Sequence, residues 1–162
     1  MELYLMQHGL ALPAEEDPER PLARAGVSQI QTTGRALQRL GVKLDLIACS
    51  PKKRSRQSAA LIAEAVNFPY SDIRESELLL PLTPPQETLR LLRDYAESDA
   101  ILLAGHLPSL AEIASQLLGS GGQVRIHFEN GSLVRLDLPE VAALQAELRY
   151  SLTAAQLKLI SG

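Results

Sequence analysis

Two of the three histidines share a setting. His8 stands in Gln7-His8-Gly9, directly after the apolar run Leu3-Tyr4-Leu5-Met6, and His106 stands in Gly105-His106-Leu107-Pro108, directly after Ile101-Leu102-Leu103-Ala104. An imidazole serves as nucleophile, proton carrier or hydrogen-bond donor according to its protonation state, and a neighbouring glycine lets a ligand approach the backbone closely. A third segment, Ser50-Pro51-Lys52-Lys53-Arg54-Ser55-Arg56, follows another apolar stretch and reads as a helix opening, with Ser50 as N-cap and Pro51 at the first helical position. A helix N-terminus offers free N–H groups and a positive dipole end to an anion. Together these residues describe an oxyanion or phosphate pocket. Singly, each has a plainer explanation: a loop histidine with one hydrogen bond, a solvated basic helix start, and, for Met6 and Cys49, core positions. The third histidine, His127, has no partner signal and reads as structural. The weight lies in three such features each following a strand.

The elements that must position them alternate. Residues 2–6 read as a short buried strand, and 7–23, with Gly9, Pro13 and Pro18, as a long irregular loop of the kind that carries function. Helical spacing covers 26–40, with Gly41 as a stop, then a strand over 44–49 and a helix from Ser50 to about Val66. A connection over 69–82 holds a short strand near Ile73, followed by a helix over 85–96, a strand over 100–104 and a helix over 109–118. Residues 119–122 read as a Gly/Ser turn. Beyond it, 124–126 and 132–138 alternate around Asn130-Gly131, a strong hairpin-turn pair. Residues 147–151 form a further candidate strand, and Thr153-Ala154-Ala155-Gln156 is a capping box opening a last helix. Strands alternating with helices predict a single α/β domain over 1–162: three layers, a mostly parallel sheet with helices on both faces, and antiparallel strands added late. In such sheets ligands bind at the carboxyl ends of the strands, which puts both imidazoles and the basic helix start on one edge.

Composition narrows the partners. The chain has 162 residues, 46% hydrophobic and 22% charged, which suits one ordinary globular domain. Lys+Arg number 16 and Asp+Glu 19, a formal net charge of −3, so no general positive field draws in nucleic acid. Cys49 is the only cysteine, which excludes an internal disulfide and a Cys-based zinc cluster. No apolar run is long enough to span a bilayer, and the N-terminus lacks a basic leader. A soluble, cytoplasmic chain that binds neither membrane nor nucleic acid is expected; the oligomeric state is left open.

These residues resemble the histidine phosphatase superfamily, and within it the small SixA-type branch of phosphohistidine phosphatases. The superfamily signature is Arg-His-Gly after the first strand, Ser-Pro-x-x-Arg after the second and a later Gly-His. Here the counterparts are Gln7-His8-Gly9, Ser50-Pro51-Lys52-Lys53-Arg54 and Gly105-His106. The branch also resembles Asp17-x-x-Arg20-Pro21-Leu22-x-x-x-Gly26 and Leu82-Thr83-Pro84. The resemblance implies a phosphoglycerate mutase-like fold, His8 as nucleophile, and Arg54 and His106 as catalytic donors to phosphoryl oxygens, His106 as a second donor if cationic. It implies further phosphate contacts from Gln7, Gly9, Arg20 and Ser50, and no metal or cofactor. The activity implied is hydrolysis of phosphohistidine on a protein, such as a histidine-containing phosphotransfer domain, or of a small phosphate ester. Gln7 departs from the signature arginine and removes one charged donor; Arg20 is the residue that could restore it. The alternative reading is a catalytically weak module that binds phosphate or phosphohistidine. Glu75 and Glu77 lie where relatives carry a general acid, but they read as exposed surface carboxylates.

Overall fold

Successive side chains of a strand face opposite sides of a sheet, and in the first strand both sides are apolar. Leu3 and Leu5 point one way, Tyr4 and Met6 the other, and all four are buried. The sheet therefore needs a layer of helices on each face. The computed structural model, which describes residues 1–119 and 124–162, has that arrangement. In chain order its elements are β1 (Glu2–Gln7), α1 (Arg24–Arg39), β2 (Leu46–Cys49), α2 (Lys53–Val66), β3 (Arg74–Glu75), α3 (Pro85–Asp94), β4 (Ala100–Gly105), α4 (Ser109–Leu118), β5 (Leu133–Asp137), β6 (Glu147–Leu152) and α5 (Ala154–Ser161). The strand order is β3-β2-β4-β1-β5-β6. The first four are parallel; β5 runs antiparallel to β1, and β6 antiparallel to β5.

Alternation sorts the core into two sets. Leu3, Leu5, Ile101 and Leu103 pack with Leu89 and Leu92 of α3 and with Leu110, Ile113 and Leu117 of α4. Tyr4, Met6, Ile47, Cys49 and Leu102 pack on the other face with Ile30 and Leu37 of α1, Ala59 and Ile62 of α2, and Leu157 of α5. Met6 and Cys49 are thus core residues, as expected. The helix following β4 lies on one face, whereas those following its neighbours β1 and β2 lie on the other. That divergence opens a crevice at the carboxyl ends of β2, β4 and β1, where ligands bind in open α/β sheets.

Three expectations need correction. The second helix begins at Lys53 with Lys52 as N-cap, not at Ser50-Pro51; the Ser50 hydroxyl, 2.6 Å from His106 Nε2, accepts the Lys52 N–H at 3.4 Å ahead of the helix, and no side chain caps the helix itself. Residues 124–126 form no strand. The Asn130-Gly131 turn therefore closes no hairpin; Gly131, at φ +76°, donates its N–H to the Gln7 carbonyl at 3.1 Å and leads β5 onto the free edge of β1. The turn expected over 119–122 falls, beyond Gly119, outside the described residues. The capping box is present, with the Thr153 hydroxyl accepting from the Gln156 N–H and Gln156 returning a bond to the Thr153 N–H. Among the described residues no helix is long and apolar enough to cross a membrane.

Candidate active site

β1 ends at Gln7, so His8 is the first residue past the sheet, and its N–H is still donated to the Gly105 carbonyl at 3.2 Å. Beyond it the chain must cross the start of α1, and only glycines allow so close a crossing. A Cβ on Gly9 would lie 2.5 Å from the Gly26 carbonyl oxygen, and one on Gly26 would lie 2.0 Å from that of Leu10. Two side chains then fix the loop. Asn130 donates its Nδ2–H to the His8 carbonyl at 2.9 Å, and Ser58 accepts the Gly9 N–H at 3.2 Å while donating its hydroxyl to the Arg54 carbonyl at 2.7 Å. On the other side, Ser55 donates to the Ala104 carbonyl at 2.7 Å and accepts the Ser50 N–H at 3.2 Å, tying the β2–α2 turn to the end of β4.

This framework brings the three predicted catalytic residues together. The His8 and His106 ring centroids are 4.8 Å apart. His8 Nδ1 lies 2.7 Å from the Gly9 carbonyl oxygen. A carbonyl only accepts, so Nδ1 carries the hydrogen and the lone pair is on Nε2. Arg54 donates its Nε–H to that Nε2 at 3.0 Å. His106 is 2% exposed; its Nε2 shares a 2.6 Å hydrogen bond with the Ser50 hydroxyl, and its Nδ1 is buried with no partner among the described residues. The Gln7 Oε1 is a second such buried, unpartnered atom.

The charges are arranged to leave the site short of an anion. Burial pushes His8 down to about 4, helped by the Arg54 and Arg20 cations against the opposing pull of the Gly9 carbonyl. Burial, His8, Arg54 and Lys52 push His106 down to about 3. Both imidazoles are neutral near pH 7, so His106 carries no charge in the free site. Within the basic run of α2, Lys53 pairs with Glu19 at 2.5 Å and Arg56 with Glu75 at 3.7 Å. Arg54 and Lys52 are left in no ion pair among the described residues. Arg20, held at φ +49° with its Nε on the Leu12 carbonyl at 3.3 Å, also lacks an acidic partner among them. Its field reaches His8 and Arg54.

Two residues expected to contact phosphate are engaged within the chain. The Gly9 N–H is committed to Ser58 and its carbonyl to His8, so Gly9 shapes the loop. Ser50 reaches the site through His106. Glu75 is half-exposed on Arg56, in line with a surface role, and His127 is exposed, 3.9 Å from Glu129. Sequence reasoning missed Ser55, Ser58 and Asn130 as positioning residues, and met Gly26 only as the end of the motif that begins at Asp17. Ser58 alone carried a signal, lying one turn beyond Arg54 on the same helix face.

With this geometry in place, comparison with known proteins is decisive. The model of the histidine phosphatase superfamily (branch 1) matches residues 3–79, a span that holds His8 and Arg54. An uncharacterized protein of Picosynechococcus sp. is 34% identical over 122 residues, covering 72% of this chain and 73% of its own. The chain belongs to the histidine phosphatase superfamily. The fold agrees: the structure of the protein histidine phosphatase SixA complexed with tungstate superimposes with a TM-score of 0.87 at 22% identity, covering 98% of this chain and 100% of that one. The alpha-ribazole phosphatase from Shigella flexneri gives 0.74 at 19% identity, covering 95% and 97%. His106 lies beyond the segment matched by the superfamily model, and it is the pairing of β4 with β1 and β2 that brings it to His8.

Proposed function

We propose that this chain is a phosphatase that hydrolyses phosphohistidine on a protein, through a phosphohistidine intermediate on its own His8. The observation that carries the reading is the His8 ring: neutral, hydrogen on Nδ1, lone pair on Nε2 facing Arg54. The Nε2 lone pair attacks phosphorus in line, a P–N bond to His8 forms, and the bond to the leaving imidazole breaks, that imidazole taking a proton from solvent. Water then attacks the phosphoryl group, releasing phosphate and restoring His8. Two steps of this kind are each easier than one direct hydrolysis.

The cations supply the remainder. Phosphoryl transfer is catalysed mainly by positioning and charge stabilisation. The Arg54 guanidinium matches the phosphoryl oxygens as a planar donor fork, and Arg20 and Lys52 add unpaired charge nearby. A bound anion also raises the affinity of His106 for a proton, which favours its acting as a donor when substrate is present. No carboxylate is placed on His8 or His106 among the described residues, which suits a leaving group that departs without strong acid catalysis. That feature favours phosphohistidine over small alkyl phosphate esters.

The test is release of inorganic phosphate from phosphoramidate, the simplest nitrogen-linked phosphoryl donor. Wild type should turn it over, and His8→Ala should lose at least about 10³-fold in rate while keeping its circular dichroism spectrum and melting temperature near wild type. Tight phosphate binding without turnover in wild type would establish the binding-module reading instead.

A further inference from the structure

The loops that carry Ser50 and His106 extend beyond the anion site. Lys52 and the pair Leu107-Pro108 form one side of an open groove of about 650 Å³, and Leu80, Pro81 and Leu82 form the other. The far wall is apolar and firmly held. Thr83 donates its hydroxyl to the Glu77 carbonyl at 3.0 Å and its N–H to Leu80 at 3.2 Å, Thr88 donates to the Leu78 carbonyl at 2.6 Å, and Leu79 is buried beneath. On this braced backbone Leu82 stands 86% exposed, and Leu107, which lines the same groove, 39%. Exposed leucines on a braced backbone give the groove apolar surface that a partner can cover without the segment having to reorder. A small molecule lodged at the anion site would leave Leu82 in solvent, whereas a polypeptide segment laid along the groove covers it. Two of its lining residues adjoin the anion site along the chain: Leu107 directly follows His106, and Lys52 donates its N–H to the Ser50 hydroxyl that lies on His106.

We propose that this groove is the docking surface for the polypeptide segment that bears the phosphohistidine: a stretch with apolar side chains flanking the phosphorylated residue and a carboxylate that meets Lys52. The inference rests on the phosphohistidine reading above. Leu82 and Leu107 would then set specificity, and Leu82 would do so without touching the reacting atoms.

The experiment compares phosphoramidate with two synthetic phosphohistidine peptides of equal length and charge, each with one glutamate. One flanks the phosphorylated residue with leucines, the other with glycines and serines. Wild type should favour the leucine peptide about tenfold in kcat/KM, mainly through KM, as expected for partial burial of two or three leucine side chains. Leu82→Asp should abolish that preference and leave phosphoramidate hydrolysis unchanged, a result that also shows the variant is folded. Exchanging the peptide's glutamate for glutamine should raise KM severalfold. Equal kcat/KM for both peptides, with phosphoramidate still turned over, overturns the docking assignment alone. Turnover of a phosphate ester with none of phosphoramidate or either peptide overturns the phosphohistidine reading and the docking surface with it.

Discussion

With Nδ1 held on the Gly9 carbonyl, the His8 lone pair is covered by the Arg54 Nε–H. In the proposed reaction a phosphoryl group draws that guanidinium onto its own oxygens before His8 attacks, which would make binding and activation of the nucleophile one event. The clamp is short of one charge at Gln7. We expect Gln7→Arg to raise kcat by up to about 10²-fold, with a smaller change in KM, because the added charge meets oxygens that crowd in the transition state. Initial rates of phosphate release decide it. An unchanged rate would mean that Arg20 already supplies the charge, and Arg20→Ala should then cost about tenfold or more. His8, Arg54 and His106 were legible in the sequence because each lies just beyond an apolar run that could only be a buried strand. Asn130 was not: it binds the His8 carbonyl from 122 residues away, and Asn-Gly speaks locally of a turn.

At the scale of elements, the site depends on the crossing of the 8–10 segment over the start of α1 at Gly9 and Gly26. Gly26→Ala places a methyl group against the Leu10 backbone, which has no rotamer to yield. It should cost about 1–3 kcal/mol, which lowers the melting temperature by several degrees, and it should reduce activity more than any other small-residue change in α1. A thermal melt alongside a rate measurement checks both; unaltered activity would mean that the loop tolerates displacement. Most elements were legible from periodicity, since β1, β2 and β4 are continuous apolar runs and the helices show clear stripes. The start of α2 was not. Ser-Pro is a sound local helix-start signal, but the Ser50 hydroxyl lies on His106 while accepting the Lys52 N–H, and the helix itself begins only at Lys53. Residues 124–126 alternate like a strand and form none; β5 instead takes the place beside β1.

For the whole molecule, strand order was beyond the sequence: nothing local says that β4 lies between β1 and β2, yet that placement brings His106 to His8. Burying two neutral imidazoles also has a cost that depends on pH. The unfolded chain protonates each near its ordinary 6.5, whereas the folded protein resists until about 4 for His8 and about 3 for His106. Below about 6.5 the unfolded state therefore binds more protons, and stability falls as pH falls toward 4. Denaturant midpoints measured between pH 7 and 4.5 should decline in wild type and flatten in His8→Ala and His106→Ala. A wild-type slope that neither variant alters would place the titration elsewhere. The proposed reaction itself is tested most directly by quenching wild type during turnover of phosphoramidate and weighing the intact protein. The account predicts one added phosphoryl group, stable in base, labile in acid, mapped to His8 and missing from His8→Ala. Steady release of phosphate with no such adduct, or an adduct that survives in His8→Ala, would contradict it.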